Sequence, residues 1–259
     1  MQASFPGAYT AVPKHSALPS PCERVYVDCN DLLHQASRRA KTEGDLFAEL
    51  FTLLDGILRM CRPSRSVMLA LDGPGPYAKV LEQRRRRAVN GGAAARKRKR
   101  GATAEAEKLK QALSPGTELM QRLQSALVYW AELKLTHADP RLVRGLAFYV
   151  SGSDVPGEGE VKILANVYHF SSSRAGPGGG RRSDERHVIV GGDADLLVMA
   201  IQADVPHLSV LQPDQDTRGW RLFAADRWER AVAPALGFYG GGGGGGGGGA
   251  IDVVQRERA

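Results

Sequence analysis

The chain has 259 residues, 42% of them apolar and 24% charged, which is enough for one large α/β domain or two small ones with a real core and excludes a wholly disordered chain. Thirty-five Lys and Arg against 28 Asp and Glu give a net charge of +7 and a pI near 9.5, a balance that favours a polyanionic partner. The three cysteines, Cys22, Cys29 and Cys61, form no C-x-x-C pair and so offer neither a disulfide framework nor a zinc finger; no apolar run approaches a membrane span, and the expectation is a soluble intracellular protein.

Residues 1–23 are rich in Ala, Ser and Pro without periodicity and are expected to form an irregular leader. RVYVD (24–28) is a short β-branched and aromatic strand, and DLFAELFTLLDGILRMC (45–61) carries apolar residues at the spacing of one helical face. SVMLALD (66–72) is the next strand. A polar stretch from Tyr77 to about Ala112, with QRRRR and RKRKR and an NGG break, reads as a basic helix, a flexible loop near 90–104 and a second charged helix. Thr117 is placed to cap the amphipathic helix TELMQRLQSALVYWAELKL. Strands follow at LAFYVS (146–151), HVIVGG (187–192) and HLSVLQ, with helical segments EVKILANVYHF and ADLLVMAI between them. This alternation predicts an α/β fold with a mostly parallel central sheet flanked by helices. The stretch 171–185, SSSRAGPGGGRRSDE, is expected to be an exposed loop. The glycines of 240–249 contribute no side chains to a core, so the predicted organisation is a core over 24–236 and a Gly-rich tail over 237–259.

The acids at or just beyond the predicted strand ends are Asp28, Asp72, the pair Glu158 and Glu160, and the pair Asp193 and Asp195. In a parallel sheet these ends share one edge, where open α/β folds place their binding crevice. Like charges converging in a partly desolvated cleft oppose folding unless protons or cations neutralise them. All-carboxylate ligation suits hard cations, Mg²⁺ or Mn²⁺, and two such ions about 3.5 to 4 Å apart would serve hydrolysis of a phosphodiester. The alternative is that each acid merely caps a helix or ends a strand.

After Asp72, the residues Lys79, Gln83, Arg86 and Arg87 fall at helical spacing and could grip a terminal phosphate, or else form a solvated basic face. RKRKR (96–100) reads as a nonspecific nucleic-acid tract or a nuclear-import signal. His34, six residues after Asp28, could stack on a base.

The blocks VYVDCNDLLH (25–34), LALDGPGPYAKVLEQRRRR (69–87), SPGTELM (114–120), SGSDVPGEGEVKI (151–163) and GGDADLLVMA (191–200) together resemble the amino-terminal nuclease region of the Xrn-type 5′-to-3′ exoribonucleases. The resemblance implies a PIN- or flap-nuclease-like fold, with the six acids as ligands of Mg²⁺ ions. It also implies that Lys79, Gln83, Arg86 and Arg87 select a 5′-monophosphate, that His34 stacks on the first base, and that the partner is single-stranded RNA. Two departures bear on activity: the family continues into a block with a further metal-binding aspartate, and then into a second region, neither of which this chain shows. A catalytically incomplete RNA-binding module and a flap-endonuclease-like enzyme acting on DNA are the competing readings.

Overall fold

A computed structural model of the chain describes residues 6–75, 85, 109, 112–137, 145–172, 184–214, 216, 217 and 219–232. Strands β1 (Tyr9–Val12), β2 (Arg24–Asp28), β3 (Ser66–Ala70), β4 (Ala147–Ser151), β5 (His187–Val190), β6 (Leu208–Pro213) and β7 (Trp220–Ala224) form one seven-stranded sheet in the order β1-β7-β6-β5-β2-β3-β4. The pairs β6–β5, β5–β2, β2–β3 and β3–β4 are parallel, whereas β7 runs antiparallel to both β6 and β1. The sheet is therefore mostly parallel, as the alternation of the sequence predicts.

Helices cover both faces. Against one face lie α1 (Cys29–Ala36), α2 (Glu43–Cys61) and α3 (Glu118–His137), which share a core with Val25, Val27, Val67, Leu69, Val188 and Val190. Against the other lie α4 (Gly159–Ser172), α5 (Ala194–Gln202) and α6 (Ala225–Val232), packed on Tyr26, Met68, Ile189 and Val210. Alternate residues of β2, β3 and β5 serve opposite cores, so β3 is buried at every position and reads as an unbroken apolar run.

Local signals set the helix bounds. Thr42 caps α2 through a reciprocal box with Asp45, and Arg62 closes it in the left-handed region at φ 50, just before Pro63. Thr42→Ala is expected to lower stability by about 1 kcal/mol, seen as a lower urea midpoint at unchanged slope. At α3 the Thr117 Oγ1 accepts from the Met120 amide at 3.4 Å, in keeping with its predicted capping role.

The leader differs from expectation. Pro6–Ala8 form a 3-10 turn and Tyr9–Val12 an edge strand, while Val12, Leu18 and Cys22 are buried in the first core. Four residues too short to show periodicity become a strand because β7 supplies their hydrogen bonds. At the end of the 171–185 loop, Asp184 is exposed as expected but Glu185 is buried, drawn in by Arg24 and Arg65. The predicted break near 90–104, RKRKR and the 237–259 tail lie outside the described residues. No described helix is long and apolar enough to cross a membrane.

Candidate functional site

The chain passes from β2 outward through β3 to β4, then returns to the far side of β2 as β5. That reversal is a topological switch point, and open α/β sheets usually bind ligands at the carboxyl ends of the strands on either side of it, here β2 and β5. Helices α1, α4 and α5 begin at this edge, so their partially positive N-termini face the same region.

Asp28 ends β2 and is the N-cap of α1, its Oδ1 accepting from the Asn30 amide at 2.9 Å. It is only 7% exposed. Burial, then the Asp72 and Asp31 charges, push its carboxyl up to about 7 against the pull of that backbone bond. Asp72 stands two residues past β3, and its Oδ1 accepts from the Gly159 amide at 2.7 Å, capping α4 from a different strand. A β-carbon at Gly159 would lie 3.4 Å from Asp72 Oδ1 and 3.5 Å from Asp28 Oδ1, so these two carboxylates flank one point of the backbone.

The G-E-G-E segment is not the open turn that its glycines suggest. Glu158 immediately precedes α4, and Gly159 and Glu160 form its first turn, because the Asp72 carboxylate satisfies an amide that would otherwise be orphaned. Gly157, at φ 105, makes the left-handed bend before it. Glu160 is half-buried; burial first, then the charges of Asp193, Asp28, Asp195 and Glu158, raise its carboxyl to about 7. Asp193 caps α5, accepting from the Asp195 amide at 3.3 Å, and both acids are exposed. Each of the six acids thus lies in the electrostatic field of at least one other, and Asp28, Asp72 and Asp193 also accept from amides at helix starts, as the capping alternative expects.

The donors fit a hard divalent cation in kind, since all are carboxylate oxygens and burial with neighbouring acids raises two of them, Asp28 and Glu160, to about 7. Their spacing is looser than their charge coupling: among the described residues, no three acids, histidines or cysteines are grouped closely enough to hold one ion.

His34 is exposed in the last turn of α1, six residues and about 9 Å along the helix axis from Asp28. Lys79, Gln83, Arg86 and Arg87 lie outside the described residues. Two described residues escaped the reading of the sequence. Asp31, one helical turn after Asp28, adds to its charge and accepts from Gln35 Nε2 at 3.0 Å; the three-residue spacing was the available signal. Lys162, one turn after Glu158, donates to the Leu71 and Gly152 carbonyls.

The family described as XRN 5′-3′ exonuclease N-terminus matches residues 1–214. The chain is 31% identical over 242 residues to 5′-3′ exoribonuclease 2 of Neurospora crassa, covering 81% of this chain and 22% of that protein. It is 34% identical over 214 residues to 5′-3′ exoribonuclease 2 of Candida albicans (74% and 21%), and 30% identical over 225 residues to 5′-3′ exoribonuclease 1 of Homo sapiens (82% and 12%). It spans about a fifth or less of the length of these relatives. A solved structure of the catalytic core of Rad2 in complex with DNA substrate aligns with 91% of this chain and 55% of that one, at 13% identity and a TM-score of 0.41, too slight a likeness to add to the fold described above. On the match across residues 1–214 and its agreement with relatives over most of its length, the chain belongs to the family of XRN 5′-3′ exonuclease N-termini.

Proposed function

We propose that this protein is a Mg²⁺-dependent 5′-to-3′ exoribonuclease that hydrolyses single-stranded RNA from a 5′-monophosphate end to mononucleotides, in RNA turnover or processing. The observation that carries the reading is the convergence of Asp28, Asp72, Glu158, Glu160, Asp193 and Asp195 at one sheet edge, in a chain of this family. These residues would hold Mg²⁺ or Mn²⁺, as two ions. Such cations supply neutralisation of developing negative charge and polarisation of the phosphodiester and its attacking water.

The chain's own groups prepare that step. Burial and the neighbouring acids raise the carboxyls of Asp28 and Glu160 to about 7, so a bound cation would compete with protons there. The Asp72 carboxylate fixes the start of α4, and with it the direction of Glu160. Lys79, Gln83, Arg86 and Arg87 seat the terminal phosphate, and His34 stacks on the first base. The reading includes an intracellular location, with RKRKR directing nuclear entry.

A second reading, a catalytically incomplete RNA-binding module, is favoured by the looser spacing of the described acids. A 5′-labelled monophosphate RNA separates the two. Mononucleotide release that appears with Mg²⁺ or Mn²⁺, stops with EDTA and is poor on hydroxyl-ended RNA is the expected result. Preferential binding of the phosphorylated end without release supports the module, and cleavage of branched DNA in place of RNA would overturn both.

A further inference from the structure

We infer that Lys162 is a positioning residue that locks the Asp72 segment to the loop after β4 and thereby sets the spacing of the acids; this deepens the nuclease reading above and rests on it. Lys162 lies four residues after Glu158 on α4, and its Nζ donates to the Leu71 carbonyl at 2.9 Å and to the Gly152 carbonyl at 2.9 Å. Each carbonyl lies one residue past the end of its strand, β3 or β4. Leu71 and Gly152 are both buried; the Gly152 carbonyl also accepts from the Val155 amide at 3.3 Å, so Lys162 is its second donor and ties it to the Leu71 carbonyl.

The two segments are also joined through their backbones. The Leu71 amide donates to Ser151 O at 2.9 Å, the Gly73 amide to Gly157 O at 2.9 Å, and the Gly157 amide to Pro74 O at 3.1 Å. Asp72 sits inside this seam, and its carboxylate reaches back to the amide of Gly159. Lys162 therefore closes a loop of connections. The helix that carries Glu160 holds the strand end that carries Asp72, and Asp72 in turn holds the start of that helix. An ammonium on a flexible four-carbon stem suits the task, because it offers several donors to carbonyls approaching from different directions. Losing it leaves the backbone bonds of the seam in place and removes the side-chain tie between α4 and the two strand ends.

The test compares wild type, Lys162→Met and Lys162→Arg for Mn²⁺ affinity by calorimetry, for Mn²⁺-dependent turnover of 5′-monophosphate RNA, and for affinity of that RNA in EDTA. Removing a group that orients ligating side chains weakens metal affinity or activity by about 10- to 100-fold. Lys162→Met is expected to lose that much in Mn²⁺ affinity, with RNA affinity in EDTA unchanged, and Lys162→Arg, which keeps a cation with several donors, to recover most of it. A purely structural lysine would lower Tm alone. If Lys162→Met folds and matches wild type in Mn²⁺ affinity, the inference is overturned while the nuclease reading stands. If Mn²⁺ affinity depends on Lys162 but wild type releases no nucleotide, the inference stands and the nuclease reading falls. If wild type binds no Mn²⁺, both fall. Should Lys162→Met fail to fold, Lys162→Gln, which keeps a donor without the charge, is read by the same criteria.

Discussion

Asp28→Asn is expected to lose about 10³-fold in RNA turnover and, without cations, to become more stable than wild type above pH 7. The first effect follows from removing a carboxylate from the proposed ion site, since such ions supply several kcal/mol of transition-state stabilisation and each 1.36 kcal/mol is about tenfold in rate. The second follows from the carboxyl itself, raised from 3.8 to about 7 by burial and its acidic neighbours. The folded state holds this proton more tightly than the unfolded chain does. Stability is thus highest below the unfolded value near 4, falls as pH rises towards about 7, and stays reduced above it. The penalty at pH 8 is on the order of 2–4 kcal/mol. Asparagine keeps the capping oxygen that accepts from the Asn30 amide and discards the charge. Urea unfolding in EDTA at pH 5 and pH 8 checks this: the gain at pH 8 shrinks at pH 5, and Mg²⁺ raises the Tm of wild type more than that of the variant. A variant less stable than wild type at both pH values would show that the buried charge is not what limits the metal-free fold. Glu160 adds a smaller slope of the same sign, reduced by solvent screening.

Glu185→Ala is expected to cost about 3–5 kcal/mol of stability. Its carboxylate accepts from Arg24 Nε at 2.7 Å and pairs with Arg65 Nε at 3.2 Å. Arg24 is fixed on its other sides by Ser66 Oγ at 3.0 Å and by the Phe170 ring, whose centroid lies 3.6 Å from the guanidinium carbon. The Arg24 side chain is 11% exposed, so removing Glu185 leaves a buried cation short of its counter-charge. Arg65 is 46% exposed and can turn to water, so Arg65→Ala is expected to cost less than about 1 kcal/mol. The measurement is the urea midpoint of the two variants side by side. Similar losses in both would place the stabilisation in the Arg65 pair instead.

The parallel half of the sheet was legible because RVYVD, SVMLA, AFYVS and HVIV are compact β-branched and aromatic runs bounded by turn residues. The antiparallel half was not. YTAV and WRLFA carry little signal of their own; YTAV becomes a strand by pairing with WRLFA about 200 residues away, and WRLFA also pairs with the neighbouring β6. Asp28, Asp72, Asp193 and Asp195 stand within five residues of a strand end, whereas Glu158 and Glu160 stand at the start of α4, seven and nine residues past β4. Asp31 was not legible, because within DCNDLLH it reads as an ordinary acid in the first turn of a helix. Glu185 sits among Arg, Ser and Gly residues that signal exposure, and only the fold reveals the two guanidiniums that draw it inward. Lys162 was not legible either, because within the helical run EVKILANVYHF it carries no signal of its own. Its two carbonyl partners are 91 and 10 residues away and could not be anticipated from local pattern.

The tight seam beside Asp72 leaves its two glycines with different freedom to vary. A methyl group at Gly73 would overlap the carbonyl of Val155, a backbone atom held within a tied loop, so any replacement there pries the segment apart. At Gly152 the obstruction is the Gln124 side chain together with Asp154, both of which can swing aside. Diversified libraries of this domain therefore have room at positions 124 and 152 taken together, and none at 73.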